Sequence, residues 1–324
     1  MNVLITDAEY PDVDAFERPM LSVAGFRVAR AQCRTPEQII AAGQEADILL
    51  AQYAPITRKV FASLPKVRIV SRYGVGVDNI DLEAAEEFGV WVANVPDYGV
   101  REVATHAFGM ALALVRHLPF FDRSVREGEW YYRGTGTLRR PSDLTFGVVG
   151  HGRIGSAIAQ MAAPSFRRVL ACDPYLPESP WPGNVLRVDH DELFRGSDVV
   201  SLHVPLTDET NNMVDGHRLR QMPKGSFVVN TARGGVVNLD DLLWALDQGD
   251  LAAAALDVLP EEPPSADHPI LAHPRVLLTP HSAFYSEEAE QELRRKAVQN
   301  ILSWAESGRP PYVLVEGKRG AQPS

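Results

Sequence analysis

The stretch Gly150-His-Gly152-Arg153-Ile154-Gly155 directly follows the apolar run Thr145-Phe-Gly-Val-Val149 and opens a helical pattern at Ile154, Ile158 and Met161. Glycines at this spacing suit a phosphate-holding turn. Gly150 permits the tight turn, Gly152 lets the backbone approach a pyrophosphate, and Gly155 lets helix and strand pack closely. The helix start then offers free N–H groups and a partial positive charge to phosphate oxygens, with Arg153 beside them. Eighteen residues after Gly155 the next apolar run, Val169-Leu-Ala-Cys172, ends in Asp173. A carboxylate there accepts from both hydroxyls of a ribose and repels a 2′-phosphate, which favours NAD over NADP. Three loop glycines beside a chance aspartate are the plain alternative, but strand, loop, helix and acid in that order argue against it.

The later apolar runs end in residues that handle charge and protons. Val199-Val-Ser-Leu-His203-Val204-Pro205 carries a histidine, and Asn230-Thr231-Ala232-Arg233-Gly234 an arginine. Asp257 to Glu262 carries acids, and Thr279-Pro-His281-Ser282 a second histidine. Reducing a carbonyl requires a proton donor at oxygen as hydride reaches carbon, and histidine serves near neutral pH. An acid behind the imidazole stabilises its protonated form. An arginine can clamp a carboxylate in two-pronged fashion and polarise the neighbouring carbonyl. Taken singly, His281 reads as a turn residue, Arg233 as a surface charge and Glu262 as a solvated loop acid. Their shared place at strand ends is what joins them, because ligands of open α/β sheets bind off the carboxyl ends of the strands.

The elements that must position these groups alternate along the whole chain. Strands are expected at 3–6, near Val28, and at 47–51, 68–72 and 90–94, followed by a long helix from Glu102 to Leu118. A second series of strands is expected at 145–149, 169–173, 199–203, 226–230, 252–258 and 276–279, six in all. A final amphipathic helix covers about Glu287 to Ser307, before a Pro/Gly-rich end. This is the α/β class, with parallel, doubly wound sheets. The segment Pro119–Pro141 reads as irregular, rich in Gly, Arg and aromatics, and as a dimerisation arm.

Composition fits two globular domains: 45% hydrophobic and 23% charged residues, with net charge −10 spread along the chain. Nucleic acid and anionic membranes need clustered Lys/Arg and are poor partners for such a surface. Cys33 and Cys172 are the two cysteines, and no His/Cys cluster has metal-ligand spacing. Cys172 reads as buried core rather than nucleophile. No apolar run approaches the ~20 residues needed to span a bilayer, and Met1-Asn-Val-Leu-Ile-Thr-Asp7 reads as a strand rather than a signal peptide. The expected location is the cytoplasm.

Over essentially its whole length the chain resembles the D-isomer-specific 2-hydroxyacid dehydrogenase family. The matching stretches are Arg72-Tyr-Gly74-Val75-Gly76-Val-Asp78-Asn-Ile-Asp81, the glycine loop with Asp173, Asn230 to Gly234, Asp257 to Pro263, and Thr279-Pro-His281. The resemblance implies an NAD-dependent enzyme interconverting a 2-oxo acid and a D-2-hydroxy acid. Arg233 would clamp the substrate, with His281 as general acid/base and Glu262 as its partner. Arg72 and the N–H groups of Val75 and Gly76 would face the substrate carboxylate. Asp257 would face the nicotinamide amide, with His203, Val204, Pro205, Thr231, Ala232 and Ser282 along the cofactor. It implies a Rossmann-like NAD domain, 99–284, inserted into a flavodoxin-like substrate domain built from 1–98 and 285–324, and a homodimer. Ala107 stands where the family often has Thr. Within the family, Asp173-Pro-Tyr175 and His281-Ser-Ala-Phe284 are similar to the C-terminal binding protein branch, which carries Trp at the position of Phe284. An NAD-sensing corepressor-like binding protein with little turnover is therefore the alternative reading. The aromatics Tyr53, Tyr73, Tyr98 and Phe284 read either as lining around the substrate's side chain or, equally, as core or domain-interface residues.

Overall fold

The computed structural model describes residues 1–176 and 185–318. Residues 319–324 of the expected substrate domain lie outside them. The contacts divide the chain into two units, Met1–Tyr98 with Ser286–Ser324, and Gly99–Tyr285.

The first unit holds β1 (Asn2–Ile5), β2 (Arg27–Arg30), β3 (Ile48–Ala51), β4 (Ile69–Arg72), β5 (Trp91–Ala93) and the last strand of the chain, β13 (Val313–Val315). Their order is β13-β5-β4-β3-β1-β2. The five N-terminal strands pair in parallel, in the flavodoxin-like order 2-1-3-4-5. β13 adds an antiparallel edge beside β5, where the sequence pattern suggested only a Pro/Gly-rich tail. Parallel strands covered on both faces read as continuous apolar runs, and β3 (Ile-Leu-Leu-Ala) is buried throughout. Side chains alternate between two cores. Leu4, Leu49 and Val70 pack on one face with Ile39, Val60 and Phe61. Val3, Ile5, Ile48 and Leu50 pack on the other with Leu293, Val298, Ile301 and Trp304. Burying each such side chain contributes roughly 1.5–3 kcal/mol.

Helix Glu287–Ser307 is what brings the C-terminal segment into this unit. Ser286 caps its start, accepting from the Ala289 N–H at 3.0 Å, and Gly308 ends it with φ +81°. Its Arg294 is 2% exposed and reaches helix Val13–Val23, where it bonds both carboxylate oxygens of fully buried Glu17 at 2.7 and 2.8 Å. Asp12 takes a further guanidinium N–H at 2.7 Å, and the cation lies against the rings of Tyr10 and Phe16.

The second unit holds β6 (Thr145–Val149), β7 (Arg168–Cys172), β8 (Val185–Arg187), β9 (Val199–Leu202), β10 (Ser226–Asn230), β11 (Leu251–Leu256) and β12 (Val276–Leu278). All pair in parallel, in the order β12-β11-β10-β9-β6-β7-β8. The chain reverses direction across the sheet between β6 and β9, the switch point where such folds bind nucleotides. The sheet therefore has seven strands, one more than the sequence pattern suggested. β8 is three residues long and ends in an arginine, too short to stand out as an apolar run.

The long helix also differs from expectation. It spans Val100–Val115 and stops at His117, whose φ of +53° no α-helix accommodates. A new helix, Leu118–Arg126, begins with Pro119 in its first turn. The first part of the segment expected to be irregular is thus helical, because proline starts helices as readily as it stops them. Among the described residues no helix is long and apolar enough to cross a membrane.

Candidate active site

In the second unit the glycine loop joins β6 to helix Arg153–Ala162, and each glycine is constrained differently. Gly150 has φ +85°, and a Cβ there would lie 2.5 Å from the His203 carbonyl oxygen. A Cβ on Gly155 would lie 1.9 Å from the Gly150 carbonyl oxygen, so the helix cannot sit this close to the turn with any side chain. Gly152 meets nothing within 4 Å. It caps the helix without a side chain of its own, leaving that end open to an outside acceptor. Arg153 is exposed at the first helical position, while Ile154 packs into the core below.

Asp173 follows β7 and is partly exposed. Its carboxylate accepts from the N–H groups of His151 at 2.9 Å and Tyr175 at 3.1 Å, which fixes the oxygens while leaving lone pairs for a diol. At the end of β9, His203 donates its backbone N–H to Val149, and its Nε2 lies 2.9 Å from the Ser201 hydroxyl. Burial pulls its imidazole down to about 3, so this histidine is neutral. Val204 packs against the core and Pro205 is exposed, its carbonyl accepting from Thr210.

After β10 the chain turns through Thr231, Ala232 and Arg233, and Asn230 holds that turn at both ends. Its Oδ1 accepts from the Ala232 N–H at 3.0 Å, and its Nδ2 donates to the Arg233 carbonyl at 2.9 Å. Thr231 is buried, with a hydroxyl that has no partner among the described residues. A buried orphan hydroxyl, an uncovered glycine at a helix start and a carboxylate after β7 together fit a dinucleotide laid along this edge. The Arg233 guanidinium donates to the Ala232 carbonyl at 2.8 Å. A Cβ on Gly234 would lie 1.9 Å from the Leu259 carbonyl carbon, so the β10 and β11 loops touch backbone to backbone.

His281 and Glu262 meet beyond β11 and β12. His281 Nδ1 lies 2.6 Å from Glu262 Oε2, and Glu262 Oε1 accepts from the Leu259 N–H at 2.8 Å. Burial raises the Glu262 carboxyl, but the His281 hydrogen bond and charge, the Leu259 N–H and the nearby Arg233 outweigh it. Its net position is below the ordinary carboxylate range, so Glu262 is charged and feels both basic side chains. Glu262 thereby occupies His281 Nδ1. The ring of Phe284 stands edge-on to the His281 ring, centroids 6.3 Å apart.

Asp257, at the end of β11, is the anchor of the loop that carries His281. Its carboxylate accepts from the Thr279 hydroxyl at 2.5 Å, the Ser282 N–H at 2.9 Å and the Ala283 N–H at 3.0 Å. Its carbonyl accepts from the His281 N–H at 2.8 Å. His281 sits in the left-handed region, φ +51°, a conformation costing a non-glycine residue about 1–3 kcal/mol unless its surroundings impose it. The sequence reading gave Asp257 a place beside the cofactor but not this role, nor the neighbouring His106, whose Nε2 lies 3.1 Å from the Thr279 hydroxyl. A signal existed: Thr105 and His106 are the polar residues between Val103 and Val115 of that helix.

In the first unit, Arg72 ends β4 and is 9% exposed. Its guanidinium lies across Gly74, where a Cβ would sit 1.5 Å from Nη1. Val75 is exposed and Gly76 half-buried, and the Val75 carbonyl accepts from the Asn94 amide at 2.7 Å. Tyr53 is exposed after β3. Asp7 holds its loop by accepting N–H groups from Gln52, Tyr53 and Ala54. For Tyr73 the core reading is the one that fits its burial. It is 2% exposed, lies edge-on to Tyr10, and belongs to the core together with the partly buried Tyr98. Tyr73 lies just past β4, where its N–H still donates to the Ala51 carbonyl at 2.8 Å. Ala107 is fully buried, and burial pushes the Cys172 thiol up to about 11.

Residues 108–283 match the family model described as D-isomer specific 2-hydroxyacid dehydrogenase, NAD binding domain. A glyoxylate reductase of Korarchaeum cryptofilum is 38% identical over 264 residues, 80% of this chain and 80% of that protein. A D-3-phosphoglycerate dehydrogenase of Methanocaldococcus jannaschii is 35% identical over 297 residues, 90% of this chain but 55% of that longer protein. Among solved structures, the D-lactate dehydrogenase of Aquifex aeolicus complexed with NAD and lactic acid superposes with a TM-score of 0.87 at 27% identity, covering 100% of both chains. The family match runs through the strand ends that carry Arg233, Glu262 and His281 rather than around them, and the chain belongs to the D-isomer specific 2-hydroxyacid dehydrogenase family.

Proposed function

We propose that this protein interconverts a small 2-oxo acid and its D-2-hydroxy acid with NAD, using Arg233, Glu262 and His281. The observation that carries the assignment is the 2.6 Å pair of His281 and charged Glu262, set on the same sheet edge as the glycine loop and Asp173. The Gly152 backbone, the helix start at Arg153 and Ile154, Asp173, Val204, Pro205, the Thr231 hydroxyl and Ser282 would hold NAD, with His203 kept neutral beside it. The bound nicotinamide supplies or accepts the hydride.

The chain's own residues do the rest. Arg233 binds the substrate carboxylate and draws charge toward the carbonyl oxygen, each charged hydrogen bond contributing roughly 1.5–3 kcal/mol. His281 gives its Nε2 proton to that oxygen in reduction and takes it back in oxidation. Glu262 stabilises the imidazolium and keeps its Nδ1 occupied. In the first unit, Arg72 and the N–H groups of Val75 and Gly76 are assigned to the substrate carboxylate. Tyr53 and Phe284 are assigned to its side chain.

A homodimer goes with this reading. Helix Leu118–Arg126 has no buried residue, and Trp130, Tyr131 and Tyr132 beside it are 88%, 60% and 71% exposed, the kind of apolar surface a second copy covers. The cytoplasm is the assigned location.

The test is NADH oxidation at 340 nm with glyoxylate, pyruvate, hydroxypyruvate, 4-methyl-2-oxopentanoate and phenylpyruvate, repeated with His281→Ala. Turnover is expected with at least one acid, falling by about 10²–10⁴ in the variant. Undiminished turnover in the variant removes His281 from the chemistry. No turnover with any acid, despite NADH binding, refutes the assignment.

A further inference from the structure

We infer that His106 is a positioning residue for the proton-transfer machinery, acting through Thr279 and Asp257 on the loop that carries His281. The inference rests on the assignment of His281 above.

The direction of each hydrogen bond in the chain is fixed by chemistry. Both carboxylate oxygens of Asp257, whose side chain is 1% exposed, are acceptors, Oδ1 from the Ser282 N–H and Oδ2 from the Ala283 N–H. The Thr279 hydroxyl, 2.5 Å from Asp257 Oδ1, has one hydrogen and must give it to Asp257. Toward His106 Nε2, 3.1 Å away, Thr279 can therefore only accept. His106 must carry a proton on Nε2 whether the ring is neutral or charged. A histidine donating to Thr279 polarises the hydroxyl that donates to Asp257, and successive hydrogen bonds of this kind reinforce one another.

What hangs on Asp257 is the geometry of residues 281–283. Three consecutive N–H groups, those of His281, Ser282 and Ala283, end on its carbonyl and its two carboxylate oxygens. That grip keeps His281 in the left-handed region, from which its side chain meets Glu262. His106 itself stands on helix Val100–Val115, in one piece with the sheet through Ala104, Ala107 and Ala111, so it offers the loop a fixed point. It is partly open to a shallow cavity lined by Arg101, Glu102, Thr105, Ala283 and Tyr285.

The variants His106→Phe, His106→Gln, Thr279→Val, Thr279→Ser and the double His106→Phe/Thr279→Val separate this role from a merely structural one. Turnover of the best 2-oxo acid, NADH affinity by fluorescence and the thermal midpoint are measured for each. His106→Phe is expected to lower kcat on the order of tenfold or more, as small misplacements of reacting groups do, with NADH affinity and thermal midpoint little changed. His106→Gln keeps an N–H near the Nε2 position and should recover most of the loss, as Thr279→Ser should for Thr279→Val. Because both residues act along one chain, the double variant should be no worse than the poorer single one. Full turnover in His106→Phe, no recovery in His106→Gln, or losses that multiply in the double variant would each overturn the inference. An active His281→Ala would remove the assignment beneath it and the inference as well. A dead His281→Ala beside a fully active His106→Phe would sink the inference alone.

Discussion

Glu262→Gln is the substitution that asks most directly whether charge behind His281 matters. Glu262 serves two donors, the His281 ring at Oε2 and the Leu259 N–H at Oε1. Glutamine has one oxygen and one NH2 group and cannot satisfy both. If its oxygen keeps Leu259, its NH2 group faces His281 Nδ1 and forces that nitrogen to accept, so the ring is held neutral. Both side chains are about one-third exposed, 28% and 35%, which calls for a dielectric well above that of a dry interior. At an effective value near 40 and a charge separation of ~4 Å, the lost attraction is about 2 kcal/mol. Exchanging a charged hydrogen bond for a neutral one removes about 1 kcal/mol more. The sum, about 3 kcal/mol, is ~150-fold in kcat/KM for 2-oxo acid reduction at pH 7. NADH oxidation at 340 nm measures it, with NADH affinity as the control for an intact fold. A loss below about threefold would refute the reasoning, since even the hydrogen-bond part alone predicts more. The same pair sets a pH dependence. Because the folded state holds Glu262 below its ordinary range, the stability it contributes is present above the ordinary carboxylate value of 4.5 and lost as pH falls through the folded value. Urea midpoints of the native protein and Glu262→Gln should therefore differ at pH 7 and converge in acid.

Two further outcomes are expected. Asp173→Ala removes the carboxylate that would face a 2′-phosphate; at ~4 Å and an effective dielectric near 40 this is about 2 kcal/mol, so the NADH-over-NADPH preference should fall ~30-fold. An unchanged ratio of the two kcat/KM values would free Asp173 from that role. Arg294→Met leaves Glu17 charged and buried, which costs about 3–5 kcal/mol and should lower the thermal midpoint by roughly 10 °C, with Glu17→Gln on top recovering part of it. An unshifted midpoint in a thermal scan would show that the ion pair is dispensable.

Residues that act beside their sequence neighbours were the legible ones. The glycine loop works within one turn and its three positions carry separate steric demands, so their spacing alone gave the turn, the helix start and the order of strand and acid. The strand-end residues were legible for a related reason. Parallel sheets collect every carboxyl end on one edge, and chain order fixes which residues reach it, so Arg233, Asp257 and His281 could be grouped without knowing a distance. The aromatics expected near the substrate had no such rule. Tyr53 lies just past β3 and Tyr73 just past β4, and they read alike although one is exposed and the other buried beside Tyr10.

What stayed hidden were pairings between residues far apart in sequence and the backbone geometry they impose. His106 lies 173 residues from Thr279, and Arg294 lies 277 from Glu17. No local propensity records either contact, since each exists only after helix and sheet have docked. The left-handed residues show the same limit. Histidine is among the side chains enriched near φ +50°, but the chain has nine, and nothing in the local sequence marks His117 and His281 among them. At His281 the neighbours impose the angle: Asp257 collects three consecutive N–H groups and leaves the backbone one arrangement. The motif names the histidine, but its orientation is set by a carboxylate 24 positions upstream and by the residues that hold that carboxylate in turn.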